Sequence, residues 1–141
     1  MTTWLLRIMA VSICLAFFPI FFPLAWMHSL HQTLGLGEAP REPIFEYLAR
    51  SLSAMYFAHG ILIFVVSTDV RRYWPFVLVL GCLNLFLGGI FWITDWMAPM
   101  PSAWMWMEGP PIACVGALLI YLHQKGKSQF DAATFPHRAE A

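Results

Sequence analysis

The sequence predicts an all-α fold, an integral membrane four-helix bundle with the N and C termini in the cytoplasm. Of its 141 residues, 60% are hydrophobic and only 11% are charged, whereas a soluble domain carries about 25% charged residues. Four stretches are apolar over the ~20 residues that a helix needs to cross the hydrocarbon core of a bilayer. The basic residues between these stretches are distributed unequally, and this asymmetry predicts the orientation.

In the first stretch Arg7 precedes an apolar run, as in a signal peptide. It is longer than the ~7–15-residue apolar core of such a peptide, and no small-x-small cleavage motif follows it. We therefore expect a retained helix. The predicted bundle occupies residues 1–124, and its spans lie roughly at residues 4–26, 44–67, 73–96 and 103–123.

The connections between the spans differ in length. Residues 27–43 form a long loop rich in glycine and proline, whereas residues 68–72 form a tight, charged turn. The third connection contains two prolines, which prevent a helix from continuing through it. We expect residues 125–141 to form a polar tail with little order.

Orientation follows from the basic residues. With four spans, the N terminus, the tight turn and the tail share one side, which carries six Lys and Arg residues against Arg41 alone in the opposite loops. Basic residues accumulate on the cytoplasmic side of a membrane, so loop 27–43 is predicted to be periplasmic. We expect a multi-pass protein of a bacterial inner membrane, and the Trp and Tyr residues near the span ends are typical of an aromatic belt.

The balance of eight Lys+Arg and eight Asp+Glu leaves no basic excess, which argues against a nucleic-acid partner. The three cysteines lie within apolar runs without a CxxC pair. At such positions cysteine behaves as a small buried hydrophobe, so we expect neither a disulfide nor a cysteine metal site.

Ionisable residues within the spans are the candidate functional residues, because they usually face a bundle interior or a wet cavity. They are Glu46 and Arg50 in the second span, Asp95 in the third and Glu108 in the fourth. At about 1.5 Å per residue, all of them fall in the same outer layer of the membrane. One interpretation is an ion-pair network that clamps the helices; the other is a ligand or proton site.

Prolines predict distortions of two spans. Pro19 and Pro23 should kink the first span. Pro110 and Pro111 should distort the fourth and free carbonyl groups there, which a donor such as Arg50 could satisfy.

The third span carries a seam of residues at alternating spacings of three and four, as in a left-handed helix pair. Small residues at such a seam let two backbones approach closely in a membrane. The seam consists of Gly81, Asn84, Gly88, Phe91 and Asp95.

His28 and His31 lie one turn apart in the periplasmic loop, on one face of a predicted short interfacial helix. With the nearby acids they are candidate metal ligands, but no Glu-x-x-His motif accompanies them. Contacts with lipid headgroups or with the loop backbone are the favoured alternative, and we expect no metal. His59 has no second histidine at its depth in another span, which argues against a haem within one chain.

Several segments resemble a group of small uncharacterised bacterial four-helix membrane proteins that is loosely similar to the BphX-like and DoxX-like families. The resemblance spans roughly residues 28–123 and implies a four-helix membrane fold. DoxX-like proteins include a small subunit of a thiosulfate:quinone oxidoreductase, so it also implies a quinone as an alternative ligand. The matching segments are HQTLGLGEAPREP from His31, EYLARSLSAMY from Glu46, STDVRRYWP from Ser67 and EGPP from Glu108.

No nucleophile–base arrangement or phosphate-binding glycine loop is present in the sequence. We therefore expect a non-catalytic protein, a structural or accessory subunit of a membrane complex, with no cofactor. Its expected partners are the lipid bilayer and other membrane subunits or a second copy. One alternative is a quinone- or lipid-binding redox-coupling module, for which 16% aromatic residues and eight Met would supply an apolar pocket. A small proton-coupled transporter is the other, although four helices without an inverted repeat are few for one.

Overall fold

The structure, a computed structural model, describes the backbone of residues 1–98 and 100–134, and all regular structure in these ranges is helical. The predicted all-α class is confirmed. The elements are α1 (Thr2–Cys14), a 3-10 segment (Leu15–Phe21), α2 (Leu24–Thr33), α3 (Pro43–Thr68), α4 (Trp74–Met97), α5 (Ser102–Met107) and α6 (Gly109–Thr134).

Four helical stretches of 20 to 26 residues are long and apolar enough to cross a membrane. Their number agrees with the predicted four spans, and this is the composition of a multi-pass membrane protein. They comprise Thr2–Phe21, Pro43–Thr68, Trp74–Met97 and Ser102–Gly126.

The first span ends earlier than the sequence predicts. Its 3-10 segment ends at Phe21, the backbone is extended at Phe22 and Pro23, and α2 begins at Leu24. Pro23 has no N–H to continue the helix, and it disfavours a helical conformation in the residue before it. The predicted continuation of this span to residue 26 is wrong, because Pro23 ends the span instead of kinking it. The predicted short helix carrying the two histidines is confirmed.

The fourth span is interrupted at Glu108, between α5 and α6. Pro110 and Pro111 occupy the first turn of α6, where a missing N–H breaks no intrahelical bond. The predicted distortion is confirmed. However, α6 continues to Thr134, so the first part of the predicted polar tail is helical, because no proline ends the helix after Gly126. The last seven residues of the predicted tail, 135–141, lie outside the described residues.

The chain divides into two compact units, the first comprising Met1–Val70 and the second beginning at Arg71. Each contains a pair of long antiparallel helices. In the first unit α1 packs on α3, and in the second α4 packs on α6. The association of the two pairs into one bundle stays a prediction.

The α1–α3 pair approaches closely at Gly60. A Cβ atom at this position would lie 2.7 Å from the Cys14 Sγ and 3.2 Å from the Ala10 carbonyl oxygen. The core of this pair includes Leu6 and Ile63, which are completely buried. A small residue in α3 therefore brings the two helices together, as is common in membranes.

The α4–α6 pair is built on glycines that recur every seven residues in both helices. Gly81 faces Gly116, and Gly88 faces Gly109. A Cβ on Gly88 would lie 2.6 Å from the Gly109 carbonyl oxygen, and one on Gly116 would lie 2.7 Å from that of Gly81. This confirms the predicted seam at its two glycines, and it shows that the opposite helix carries a matching pair.

The same seven-residue step extends the seam beyond the glycines. Trp74, seven residues before Gly81, stacks on His123, seven residues after Gly116, with ring centroids 5.1 Å apart. Asn84 and Asp95 are also buried, whereas Phe91 is partly exposed. The seam therefore fixes the register of α4 against α6 over the whole span.

A helix break fastened by Arg50, and a second break with two acids

Arg50 binds the break in the first span. Its guanidinium donates to the carbonyl oxygen of Ile20 and, at 3.0 Å, to that of Phe22. Because the backbone is extended at Pro23, the Phe22 carbonyl lacks the N–H donor that a continuous helix would supply. The amide of Trp26, which would be that donor, bonds to the Pro23 carbonyl instead.

Glu46 neutralises the same guanidinium. Its Oε1 accepts from Arg50 Nε at 3.0 Å and from a terminal nitrogen at 2.7 Å, one helical turn away. The i, i+4 spacing of the two residues predicts this pairing. With the two carbonyls included, the guanidinium makes four hydrogen bonds, which nearly exhausts its five N–H donors.

The acceptors of Arg50 correct one expectation. The sequence predicts that Arg50 satisfies carbonyls freed by Pro110 and Pro111, whereas its acceptors belong to Ile20 and Phe22. The error follows from the predicted first span, which placed Pro23 inside a helix. A span ending before Pro23 would have placed the freed carbonyls at the depth of Arg50.

Glu108 and Asp95 come together in the second unit. Glu108 occupies the break between α5 and α6, and its Oε2 accepts a hydrogen bond from Trp104 Nε1 at 2.5 Å. Asp95 is only 6% exposed. Its Oδ2 has no hydrogen-bond partner among the described residues. Asp95 lies about one turn after Trp92, and a Cβ on Gly109, the residue after Glu108, would lie 2.8 Å from the Trp92 backbone nitrogen.

The four predicted cluster residues thus form two pairs. Arg50 and Glu46 are joined in the first unit by a salt bridge. Asp95 and Glu108 lie near each other in the second unit, because Gly109 packs against Trp92. A single cluster of all four stays a prediction.

An apolar pocket of about 300 Å³ lies in the second unit. Trp92, Ile93, Trp96 and Met105 line it. Sequence reasoning missed this pocket, although the tryptophans one helical turn apart place two indoles on one face of α4.

A second apolar groove, of about 380 Å³, lies between α1 with its 3-10 segment and α3. The rings of Phe17 and Phe57 approach to 5.0 Å across it, and Cys14, Phe18 and Phe64 also contribute. The sequence signal was the set of phenylalanines at helical spacing, which is equally typical of a lipid-facing surface.

His28 and His31 both pack edge-on against Phe45, with ring centroids 5.9 and 5.7 Å apart. His31 Nδ1 lies 3.1 Å from the Gly37 carbonyl oxygen. His31 thus meets the loop backbone, whereas Nε2 of His28 is buried without a hydrogen-bond partner among the described residues. Contacts of the two histidines with lipid headgroups stay a prediction. Among the side chains of residues 1–98 and 100–126, no three metal-ligating groups of His, Cys, Asp or Glu come together.

Comparison with protein-family models, with curated proteins and with solved structures finds no match for the chain. Nothing in it bears on the resemblance to the BphX-like and DoxX-like families, which stays an expectation.

Proposed function

We propose that this chain is a non-catalytic integral membrane protein, a structural or accessory subunit of a membrane complex. The arrangement of Arg50 carries the proposal. The guanidinium donates to the carbonyls of Ile20 and Phe22 at the helix break and forms a salt bridge with Glu46. Nearly all its N–H donors are therefore used within the protein. It retains little capacity to bind a substrate anion.

The exposed surface supports a role within a larger assembly. Large apolar side chains on the spanning helices are far from buried, for example Phe86 at 64% and Trp96 at 75% exposed. In a membrane such side chains face lipid or the helices of another subunit. The proposed partners are therefore the bilayer and a second membrane protein or a second copy of this chain.

We place the protein in a bacterial inner membrane with both termini in the cytoplasm. Arg7 lies in the first span near its start, and Arg71 and Arg72 lie in the turn between the second and third spans. With four spans these positions share one side, and an excess of basic residues there favours the cytoplasm. The resemblance to small bacterial membrane proteins supports the same assignment.

The direct test is gentle extraction of the protein from its native membrane, followed by native mass spectrometry with mild activation. The subunit proposal predicts a stoichiometric mass of another polypeptide or of a second copy. Deletion of a heterologous partner should then lower the cellular amount of this chain. A mass equal to the bare chain, with an abundance indifferent to its neighbours, would contradict the proposal.

A second candidate function, a quinone- or lipid-binding redox-coupling module, is favoured by the groove at Phe17 and Phe57. Its volume of about 380 Å³ lies within the ~300–1,000 Å³ of small-molecule pockets. Purified protein should melt at a higher temperature with a short-chain quinone. Phe57→Ala should abolish the shift, and Phe86→Ala, at an exposed site in the other unit, should retain it. A shift absent from the wild type, or equal in both variants, would exclude this groove.

A further inference from the structure

The break in the fourth span removes the usual helical donors of two backbone carbonyl groups. The carbonyls of Trp106 and Met107 would bond in a continuous helix to the amides four residues later, at Pro110 and Pro111, which have no N–H. The chain leaves helical pairing at Glu108, so these carbonyls end α5 without their usual partners.

Two carboxyl groups lie at the same break. Glu108 is itself the residue that caps α5, and only its Oε2 is engaged by Trp104 in the described part of the chain. Asp95 lies nearby, about one turn after Trp92, because a Cβ on Gly109 would lie 2.8 Å from the Trp92 backbone nitrogen. Its carboxyl group is more than nine-tenths buried, and its Oδ2 has no hydrogen-bond partner within the described residues.

The second unit supplies no described cation at this end of its helices. Arg71, Arg72 and Lys125 lie at the opposite end of the α4–α6 pair, about 30 Å along the helices from Asp95 by their rise per residue. Arg50, in the first unit, is already neutralised by Glu46. A buried carboxylate without a compensating charge or hydrogen bond is costly in a low-dielectric setting.

We propose that Asp95, Glu108 and the carbonyl end of α5 form a binding site for one small monovalent cation, either Na⁺ or a proton. Broken spanning helices whose carbonyl ends and carboxylates bind these ions are a recurrent solution in membrane proteins. A divalent ion is disfavoured, because no third acidic, His or Cys ligand joins the pair among the described residues.

The test uses the full chain in lipid nanodiscs. Melting is followed by tryptophan fluorescence while choline chloride is replaced by sodium chloride at constant ionic strength and pH. If Na⁺ is the ligand, the melting temperature rises with the logarithm of its concentration. Asp95→Asn and Glu108→Gln should each remove this response, and Glu38→Gln, an exposed acid in the loop of the first unit, should retain it. Glu108→Gln keeps an acceptor for Trp104, so it remains informative if Asp95→Asn fails to fold.

The proton is distinguished in the same samples. If the site holds a proton, sodium and choline give the same melting temperature, and the infrared spectrum in choline contains a protonated carboxyl band that both variants lose. Three results would overturn the proposal. The first is a wild type that shows neither sodium-dependent melting nor a protonated carboxyl band. The second is a response that persists in both variants. The third is stabilisation by Ca²⁺ in a protein that shows neither stabilisation by Na⁺ nor a protonated carboxyl band.

Discussion

Arg50 donates a hydrogen bond at 3.0 Å to the carbonyl oxygen of Phe22, which precedes it by 28 residues. The two residues lie far apart along the chain, since Phe22 directly follows the first span and Arg50 lies near the start of α3. A polar backbone group exposed by a proline break is thereby satisfied inside the first unit, as a membrane environment requires. Arg50 therefore stabilises the break by donating hydrogen bonds to the carbonyl groups that the break exposes.

If this is so, restoring the missing N–H should reduce the need for Arg50. Pro23→Ala supplies an amide and lets the first span continue into α2, so the carbonyls of Ile20 and Phe22 regain helical partners. We expect Arg50→Ala to cost less free energy of unfolding in the Pro23→Ala background than in the wild type. A double-mutant cycle in detergent micelles measures the difference. Additive effects of the two substitutions would show that Arg50 does not serve the break.

The glycine register of the second unit predicts a position-specific effect of a single methyl group. Gly88→Ala and Gly116→Ala would each place a Cβ within 2.4 to 2.6 Å of backbone atoms on the opposite helix. Such overpacking costs about 1–3 kcal/mol. Gly89→Ala is the matched control, because no atom lies within 4 Å of its Cβ position. Unfolding in mixed micelles should separate the two seam variants from the control, and equal stabilities would contradict the close approach of α4 and α6.

The proposed orientation can be tested with topology reporters. Alkaline phosphatase, which folds only outside the cytoplasm, should be active when inserted after Glu38 and inactive when fused after residue 126. A fluorescent protein that matures only in the cytoplasm should give the opposite result at the two positions. Reversed activities would show that both termini are periplasmic. Equal activity at the two positions would contradict the three membrane crossings predicted between them.

Much of the fold follows from local chemistry. The four spans are predictable because ~20 apolar residues are needed for each crossing, and the α4 seam because Gly81 and Gly88 recur at a heptad interval. The matching glycines of α6 escaped prediction, since the sequence does not reveal which helix faces α4. Pro23 was recognised as a kink, but its effect was underestimated: it ends the first span instead of bending it.

The sequence predicted which residues form the candidate sites, but only some of the contacts that these residues make. An arginine one turn after a glutamate pairs with it locally, and Glu46 and Arg50 do so. The long-range acceptors of Arg50 depend on how α1 and its 3-10 segment pack against α3. Pairing between Asp95 and Glu108 likewise depends on the tertiary fold, because 13 residues and a helix break separate them.

The central claim is that Arg50 stabilises the break in the first span. The contribution of its side chain to the free energy of unfolding tests this claim most directly. Arg50→Ala removes hydrogen bonds made by a charged group, and such bonds contribute about 1.5–3 kcal/mol each. We therefore expect a clear decrease in the free energy of unfolding. Arg50→Lys should fall between this variant and the wild type, because an ammonium cannot reproduce the planar fork that reaches Glu46 and two carbonyls.

The measurement is the unfolding midpoint of purified protein in mixed micelles, with Arg41→Ala in the exposed loop as the control. The account predicts a large decrease for Arg50→Ala, a smaller one for Arg50→Lys and none for Arg41→Ala. Unchanged unfolding midpoints for all three variants would contradict the account. The break in the first span would then be stabilised by something other than Arg50.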